Sequence, residues 1–475
     1  MRPLYLAHSR LIRISRQSLA DSRNSPVIQN PQPETGLKKR AMRGTVFSLA
    51  EFGASNLLRL VSNLILTRLL FPEAFGMMAI VQVFMTGLQM FSDVGIRTSI
   101  TLSKSGDDPD YLNTAWTVQI LRGAILWLAA FAISGPVARF YDEPLLAQLL
   151  PVVALNALFA GFMSTNIATA NRHLRLGRQT ALTIGSQVLA LALNIALAFW
   201  LRSVWALIWG GLASTLFMVV ASHVLMPGIR NRLRWHRASL GDLIRFGKWI
   251  FLSTIAGFLV NQADRAILGK FITLDRLGIY TIAFFFGSLP VLMARATLNR
   301  ILGPLYRMRP PAESAANRRN VLKARRLAVG GLVALTVPLA YGGIFLIETL
   351  YDPRYALAGP MVVLFALATP AQLISLAYGA ILLASGDSRR QFHLVGLTAA
   401  IQLPLLLIGV VTIGIPGVIL APALAALLVY PLRTRYLRLY NADDPFTDLA
   451  ILAASLVLNG YACWLAWDRI LPLLG

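Results

Sequence analysis

The 475-residue sequence contains little of what soluble proteins and enzymes use for chemistry. Cys463 is the single cysteine, which excludes a disulfide framework and a redox pair. The five histidines are scattered without metal-ligand spacing, so we predict no metal site and no cofactor. Only 14% of the residues are charged whereas 56% are hydrophobic, a balance that excludes an ordinary soluble globular protein. The chain is therefore expected to be a polytopic integral membrane protein.

Thirteen apolar runs are long enough to cross a bilayer, for which about twenty residues are needed. Hydrocarbon requires every backbone polar group to be bonded internally, and the runs are too long for barrel strands, so they predict an all-α fold. The runs occupy about 44–67, 76–100, 112–138, 146–169, 180–201, 203–226, 243–268, 277–302, 327–350, 357–384, 391–414, 416–437 and 447–467.

Acidic residues are also scarce, with 21 against 44 lysines and arginines. Most of the basic residues fall in the amino-terminal segment and on alternate connections, such as 171–179, 228–248 and 300–326. This asymmetry is typical of the positive-inside rule, and it predicts a cytoplasmic amino terminus and a periplasmic carboxyl terminus. The excess positive charge then faces anionic lipid headgroups, so no nucleic-acid partner is predicted.

An internal repeat divides the chain into two halves. Residues 43–80 align with residues 245–282 at a spacing of 202, with seven identical positions that include the pair Gly76 and Gly278. An even number of predicted spans separates the two copies, so they share an orientation. We therefore predict two six-helix lobes related by a pseudo-twofold axis along the membrane normal, with a substrate site between them.

The predicted organisation leaves no room for a catalytic domain outside the membrane, because the outer connections are short. We therefore predict no enzyme activity. The predicted parts are a disordered, basic cytoplasmic tail at 1–42, an amino-terminal lobe at 43–227, a cytoplasmic linker at 228–242, a carboxyl-terminal lobe at 243–440 and an additional transmembrane helix at 446–470.

The first apolar run carries a stripe of polar residues into the bilayer. Along one helix face lie Ser48, Glu51, Ser55, Arg59 and Ser62, with Asn63 beside them. An arginine in hydrocarbon costs roughly 2.5 to 3.5 kcal/mol, so Arg59 is expected to face an aqueous cavity or an anionic partner. Glu51 and Arg59 are about 12 Å apart along the helix axis, too far for direct contact. The structural alternative is that each is neutralised by a neighbouring helix.

Two further arginines lie inside apolar runs. Arg122 is near mid-depth and is expected to face the cavity, whereas Arg295 either faces the cavity or extends to the nearby cytoplasmic surface. Positive charge between two lobes attracts a polyanion, and pyrophosphate suits the bidentate guanidinium fork. The candidate substrate-binding residues are Arg59, Arg122, Arg295, Glu51, Ser55, Asn63 and Asn261, the last being the counterpart of Arg59 in the second copy.

Acidic residues inside the spans are candidates for gating or ion coupling. Asp93 lies one helical turn from Arg97, so the pair is either structural or part of a gate. Asp264 and Arg265 are adjacent and face partly different directions, which makes them candidates for an outward gate. A cation antiporter needs uncompensated carboxylates at mid-depth, and only Glu51 and Asp93 fit that description.

Three segments carry a family resemblance: LTRLLFPEAFGMMAIVQVF, FSDVGIRTSI and ATANRHLRLGRQTALTIGSQV. They resemble bacterial polysaccharide flippases, the exporters of lipid-linked oligosaccharides within the multidrug/oligosaccharidyl-lipid/polysaccharide superfamily. The resemblance extends over most of the chain after Arg43. It implies two six-helix lobes in a V-shaped, MATE-like fold, and cavity arginines that hold pyrophosphate. The positions that fit this role are Arg59, Arg122 and Arg295.

The resemblance also implies a function. It predicts a transporter of the bacterial inner membrane that moves an undecaprenyl-pyrophosphate-linked oligosaccharide to the outer leaflet for surface polysaccharide biosynthesis. The implied partners are this substrate, the bilayer, and a polysaccharide polymerase or chain-length and export proteins. Three alternatives stay open: a MATE-type multidrug or cation antiporter, a lipid II flippase, and a membrane glycosyltransferase or ligase.

Overall fold

The computed structural model describes residues 34–92 and 95–474, with side chains described outside 34–45, 48–49, 237–239, 241–253 and 299–301. Within these ranges the chain is almost entirely helical and has no strand, which confirms the all-α prediction. The first half contains α1 Glu34–Leu69, α2 Pro72–Phe91, α3 Ile96–Leu102, α4 Pro109–Tyr141, α5 Leu146–Gly161, α6 Asn166–Arg172, α7 Leu176–Leu201 and α8 Trp205–Val224.

The second half repeats this order and then continues. It contains α9 Arg237–Phe271, α10 Leu274–Gly287, α11 Leu289–Met308, α12 Ala315–Ala334, α13 Thr336–Leu350, α14 Ala358–Ala384, α15 Ser388–Ile413, α16 Ile415–Arg438, α17 Pro445–Leu465 and α18 Trp467–Ile470, with 3₁₀ turns at Pro353–Tyr355 and Leu471–Leu473.

Nine of the described helical segments are long and apolar enough to cross a membrane, or eleven if each of two bent pairs counts as one span. The bent pairs are α5 with α6, at 62°, and α10 with α11, at 40°. The two polar-striped helices of the repeat, α1 and α9, are 36 and 35 residues long. Each of the thirteen predicted runs falls on one helix or on two consecutive helices, and the chain is a multi-pass membrane protein.

Helices extend further into the predicted connections than the apolar runs indicate. Nine residues of the predicted disordered tail, 34–42, belong to α1, and the rest of that tail lies outside the described residues. The predicted linker, 228–242, contains the start of α9. Most of the basic connection at 300–326 is helical, because Ser314 caps α12 by accepting a hydrogen bond from the backbone N–H of Asn317. Lysine and arginine are good helix formers, so these segments extend the spans.

The two copies of the repeat meet at a reciprocal crossing of α2 and α10. A Cβ atom on Gly76 would lie 2.0 Å from the carbonyl oxygen of Leu274, and one on Gly278 would lie 1.9 Å from that of Pro72. Pro72 and Leu274 are themselves 202 residues apart, so each copy makes the same contact with the other. The crossing lies on the pseudo-twofold axis, and the close backbone approach requires glycine on both sides.

Contacts between the lobes cluster at the end of the bundle that we predicted to be outer. Lys270 Nζ lies 2.6 Å from Asp142 Oδ2, and the Tyr141 hydroxyl donates to the carbonyl oxygen of Ala266 at 2.9 Å. Further contacts there join Arg354 to the carbonyl oxygen of Thr67 at 3.4 Å and the ring of Phe75 to that of Tyr355. The lobes are therefore closed against each other at this end.

Candidate functional site

A second contact between the lobes is the crossing of α2 and α9, toward the opposite end of α2. The ring of Phe258 lies 5.0 Å from that of Phe91, measured between centroids. A Cβ atom on Gly87 would lie 3.1 Å from the Phe258 ring, and one on Gly257 would lie 3.8 Å from the terminal methyl of Met90. The crossing is therefore apolar and closely packed, and polar side chains lie on its flanks.

Arg122 flanks this crossing on the side of the amino-terminal lobe. Its Nε donates to the hydroxyl of Ser92 at 2.9 Å, and one terminal nitrogen donates to the carbonyl oxygen of Gln89 at 2.7 Å. Gln89 and Ser92 lie at the carboxyl end of α2, where backbone carbonyl groups lack partners within the helix. A cation is favourable at that position because of the helix dipole. The half-buried Arg122 is thus held beside the lobe interface.

Arg295 flanks the same crossing on the side of the carboxyl-terminal lobe. It donates to the side-chain oxygen of Asn261 at 2.6 Å, and the Asn261 amide nitrogen donates to the carbonyl oxygen of Gly257 at 2.5 Å. Asn261 lies one helical turn beyond Gly257, which contacts Met90 of α2. The structure therefore joins Arg295 to Asn261, and it brings this pair to the same crossing as Arg122.

The other predicted site residues lie on α1, whose main packing partner is α7 of its own lobe. The Glu51 carboxylate accepts a hydrogen bond from the Thr180 hydroxyl at 2.9 Å, so it faces the neighbouring helix, as in the structural alternative. Arg59 is exposed and has no hydrogen bond or ion pair with the described residues. Ser55 and Asn63 are half-buried on the same helix.

The predicted gate residues have different surroundings. Asp264 is buried, and it accepts a hydrogen bond from the Tyr280 hydroxyl at 2.7 Å, while its Oδ1 has no partner in the described structure. Arg265 Nε lies 4.0 Å from the Asp264 carboxylate, and the guanidinium lies over the ring of Phe284. The adjacent charges are thus only loosely paired. Asp93 lies outside the described residues.

A buried ionic cluster in the carboxyl-terminal lobe was not predicted from the sequence. Arg325, 1% exposed, donates to the carboxylate of Asp448, and its guanidinium lies 3.9 Å from the centroid of the Tyr378 ring. The Tyr430 hydroxyl donates to the same carboxylate at 2.8 Å. Arg326 Nε donates to Asp444 at 2.6 Å. These contacts join α17 to α12, α14 and α16, so the last predicted span is an integral part of the lobe.

The sequence contains one signal for this cluster. Asp444 and Asp448 are four residues apart at the start of the last apolar run, so a helix turns both toward the same neighbour. Their partners, Arg325 and Arg326, fall in the predicted basic connection at 300–326; this prediction is wrong for Arg325, because α12 begins at Ala315 and its register turns Arg325 inward, whereas Arg326 is exposed. Among the described residues, no group of three or more metal-ligating side chains is close enough to hold a metal ion.

Comparison with known protein families shows the family to which the chain belongs. A family model described as polysaccharide biosynthesis protein matches residues 65–352, more than half of the sequence. The chain belongs to this family. It is 21% identical to a teichuronic acid biosynthesis protein of Bacillus subtilis, over 64% of this chain and 63% of that protein. It is 21% identical to a succinoglycan biosynthesis transport protein of Rhizobium meliloti, over 65% of this chain and 62% of that protein.

Solved structures of low identity share the fold. The lipid II flippase MurJ, in an inward closed conformation, matches with a TM-score of 0.64 at 12% identity, covering 90% of this chain and all of that chain. An inward-facing multidrug resistance MATE family transporter matches with a TM-score of 0.58 at 15% identity, covering 82% and 94%. The predicted MATE-like fold and family resemblance are confirmed. The chain spans less than two thirds of the length of the two curated relatives.

Proposed function

We propose that this protein flips a lipid-linked oligosaccharide across the membrane by alternating access, in surface polysaccharide biosynthesis. The glycan would be joined through pyrophosphate to undecaprenol. The observation that carries the proposal is the position of Arg122 and Arg295 on the two sides of the α2–α9 crossing. Two guanidinium groups from opposite lobes suit the two phosphates of a pyrophosphate, because each makes bidentate, charge-assisted hydrogen bonds.

The positive charge of Arg295, in the carboxyl-terminal lobe, favours an anionic substrate. Arg295 is held by the neutral amide of Asn261, so its positive charge is oriented without being neutralised. Arg59, which is exposed on α1, is a further cation with no described partner. Because the Glu51 carboxylate is turned toward α7, it does not compensate Arg59 directly. A net positive site attracts pyrophosphate and disfavours the cationic substrates of an antiporter.

The polyprenyl tail requires a path that stays in lipid while the polar head crosses. The packing of α1 favours such a path. Both α1 and α9 pack on a helix of their own lobe, α7 and α15 respectively, but only α9 also packs along α2 of the other lobe, so the corresponding flank of α1 is open. A crevice of about 760 Å³, including its open mouth, lies between α1 and α13. It is lined by Leu64, Ile65, Arg68, Leu69, Thr349 and Leu350. A tail in such a lateral opening keeps its apolar surface out of water.

The closed end supports an alternating-access cycle. In the state described here the lobes meet at the Gly76–Gly278 crossing and through Lys270 and Asp142. We assign this end to the periplasm, the amino terminus to the cytoplasm and the carboxyl terminus to the periplasm of a bacterial inner membrane. Substrate would enter from the cytoplasmic side, and rocking of the lobes would then release it outside. A polysaccharide polymerase and chain-length or export proteins would act on the product, and the protein itself would catalyse no covalent step.

Complementation tests the proposal. A cell lacking its own copy would express Arg122→Ala, Arg295→Ala or Asn261→Ala, with Arg309→Ala as the control because Arg309 is exposed in a connection. We expect less surface polysaccharide and accumulated lipid-linked oligosaccharide in the three site variants, at unchanged protein abundance. Arg59→Ala is expected to give the same defect. Normal surface polysaccharide in Arg122→Ala and Arg295→Ala would contradict the proposal.

The same strains distinguish the alternatives. Ion-dependent efflux of a cationic dye, without a glycan defect, would identify an antiporter. Lethal loss of the gene, with accumulation of lipid II, would identify a lipid II flippase. Formation of a new glycosidic bond by the purified protein would identify a glycosyltransferase or ligase.

A further inference from the structure

Arg433 on α16 is a buried cation that has no partner among the described residues. Only 9% of the residue is exposed, and it forms no hydrogen bond or ion pair with any described residue. Burial of an unpaired charge is strongly unfavourable, because the charge loses its hydration and gains nothing in return. Binding of an anion next to Arg433 would compensate this charge and would therefore be favourable.

The neighbouring charges do not supply that anion. In the adjacent cluster Arg325 pairs with Asp448, and Arg326 pairs with Asp444, so these four charges compensate one another. The shared Asp448 carboxylate also accepts hydrogen bonds from Tyr378 and Tyr430. Arg433 is thus one positive charge in excess of this balance.

An apolar crevice lies one helical turn from Arg433 along α16. It is an open groove between α14, α16 and α17, where Leu427 and Leu449 are exposed at the surface of the bundle. Its lining residues are Ala371, Ile374, Ala426, Leu427, Tyr430, Asp448, Leu449 and Leu452. On α16, Ala426, Tyr430 and Arg433 follow one another at spacings of four and three, so they lie along one helix face. The crevice and the unpaired cation therefore lie one helical turn apart on the same face of α16, and together they form the candidate site.

We propose that this feature binds an anionic phospholipid of the bilayer, with an acyl chain in the crevice and the phosphate at Arg433. A phospholipid of the bilayer has both the acyl chain and the phosphate that the site requires. Basic pockets between transmembrane helices suit lipid phosphates. The guanidinium fork gives the phosphate charge-assisted hydrogen bonds. This site lies within the carboxyl-terminal lobe, among α14, α16 and α17, and not at the α2–α9 crossing. It is independent of the substrate proposed above.

Thermal unfolding of the purified full-length protein tests the site. The protein is held in neutral detergent micelles, to which phosphatidylglycerol, phosphatidylcholine or inorganic phosphate is added. At 100 times its Kd, a ligand bound only by the folded protein shifts the unfolding equilibrium about 100-fold. We expect phosphatidylglycerol to produce such a shift in the wild type and in Arg435→Gln, the matched control with an exposed arginine on the same helix. We expect no shift in Arg433→Gln.

A second readout separates a lipid site from a structural role. In micelles without phosphatidylglycerol, Arg433→Gln is expected to be at least as stable as the wild type, because an unpaired buried charge has been removed. A marked loss of stability there would show that Arg433 is satisfied within the protein, and it would overturn the proposal.

A substitution in the crevice tests whether an acyl chain binds there, and it leaves Arg433 unchanged. Leu427→Trp fills the crevice from α16 and is expected to abolish the phosphatidylglycerol response. An unchanged response in Leu427→Trp or Arg433→Gln would overturn the proposal. So would an equal response of the wild type to phosphatidylcholine, or to inorganic phosphate, which would identify a neutral lipid or a free anion instead.

Discussion

Substitution of Gly76 by alanine is expected to open the closed end of the bundle. The added Cβ atom would lie 2.0 Å from the carbonyl oxygen of Leu274, whereas packed Cβ atoms stay at least 3.0 Å from other heavy atoms. The helices α2 and α10 must therefore separate by roughly 1 Å, and overpacking of this kind costs about 1–3 kcal/mol. The penalty applies only while the lobes are closed, so it shifts the conformational equilibrium about 5- to 150-fold toward opening.

The assay is the labelling rate of a cysteine at this end by a membrane-impermeant maleimide added from outside. Thr67→Cys, in a Cys463→Ser background, is a suitable reporter, because Thr67 is fully buried and its carbonyl oxygen accepts a hydrogen bond from Arg354 across the lobe interface. We expect Gly76→Ala to raise the labelling rate by a factor within the range above.

Two controls make this result specific. Gly278→Ala is expected to reproduce the effect, since its Cβ atom would meet the carbonyl oxygen of Pro72 at 1.9 Å. Gly135→Ala on α4 is expected to leave the rate unchanged, because open space surrounds that position. An unchanged rate in Gly76→Ala, or an equal increase in Gly135→Ala, would refute the reasoning.

Two further predictions concern stability. Asp448→Asn leaves the buried guanidinium of Arg325 with only the Asp444 carboxylate, 4.0 Å away and already paired with Arg326, and is expected to cost about 3–5 kcal/mol in the free energy of unfolding, measured by denaturant titration; wild-type stability in this variant would contradict the prediction. Burial raises the pKa of Asp107, but hydrogen bonds from His173 and Arg172 outweigh this effect and hold the pKa below its ordinary value of 3.8. The stabilising contribution of Asp107 is therefore complete above that value and is lost as the pH falls through the lower folded-state pKa. The melting temperature of Asp107→Asn is accordingly expected to fall less steeply below about pH 4 than that of the wild type, and equal slopes would count against this ion pair.

The helices could be predicted from the sequence because the bilayer leaves the backbone few alternatives. The residues at which the helices begin and end could not be predicted in this way. Hydropathy detects the segment that crosses hydrocarbon, but a helix continues wherever caps and propensity allow it. At α12, the cap at Ser314 begins the helix well before the apolar run at 327–350. Hydropathy alone therefore places the buried Arg325 in the predicted connection at 300–326.

The candidate site could be predicted in part. The apolar run identified Arg295 as a charge inside a span, and the repeat identified Asn261 as the counterpart of Arg59, but only tertiary packing joins their side chains. The same period placed Glu51 on a stripe with Arg59, yet it does not determine which neighbour a stripe faces. The hydrogen bond from Thr180 turns Glu51 into its own lobe. Periodicity thus locates a face of a helix, and the partner of that face depends on how the helices assemble.

The duplicated helices differ in how strongly the symmetry axis constrains them. Gly76 and Gly278 lie on the axis, where each copy packs against the other, so a side chain in either copy would break the same crossing. Arg59 and its counterpart Asn261 lie away from the axis, and each has its own surroundings. Asn261 orients Arg295 beside the α2–α9 crossing, whereas Arg59 lies exposed on a helix that packs mainly within its own lobe. A symmetric contact at the closed end, with asymmetric flanks, suits a transporter whose lobes move alike but whose substrate has a phosphate head at one end and a lipid tail at the other.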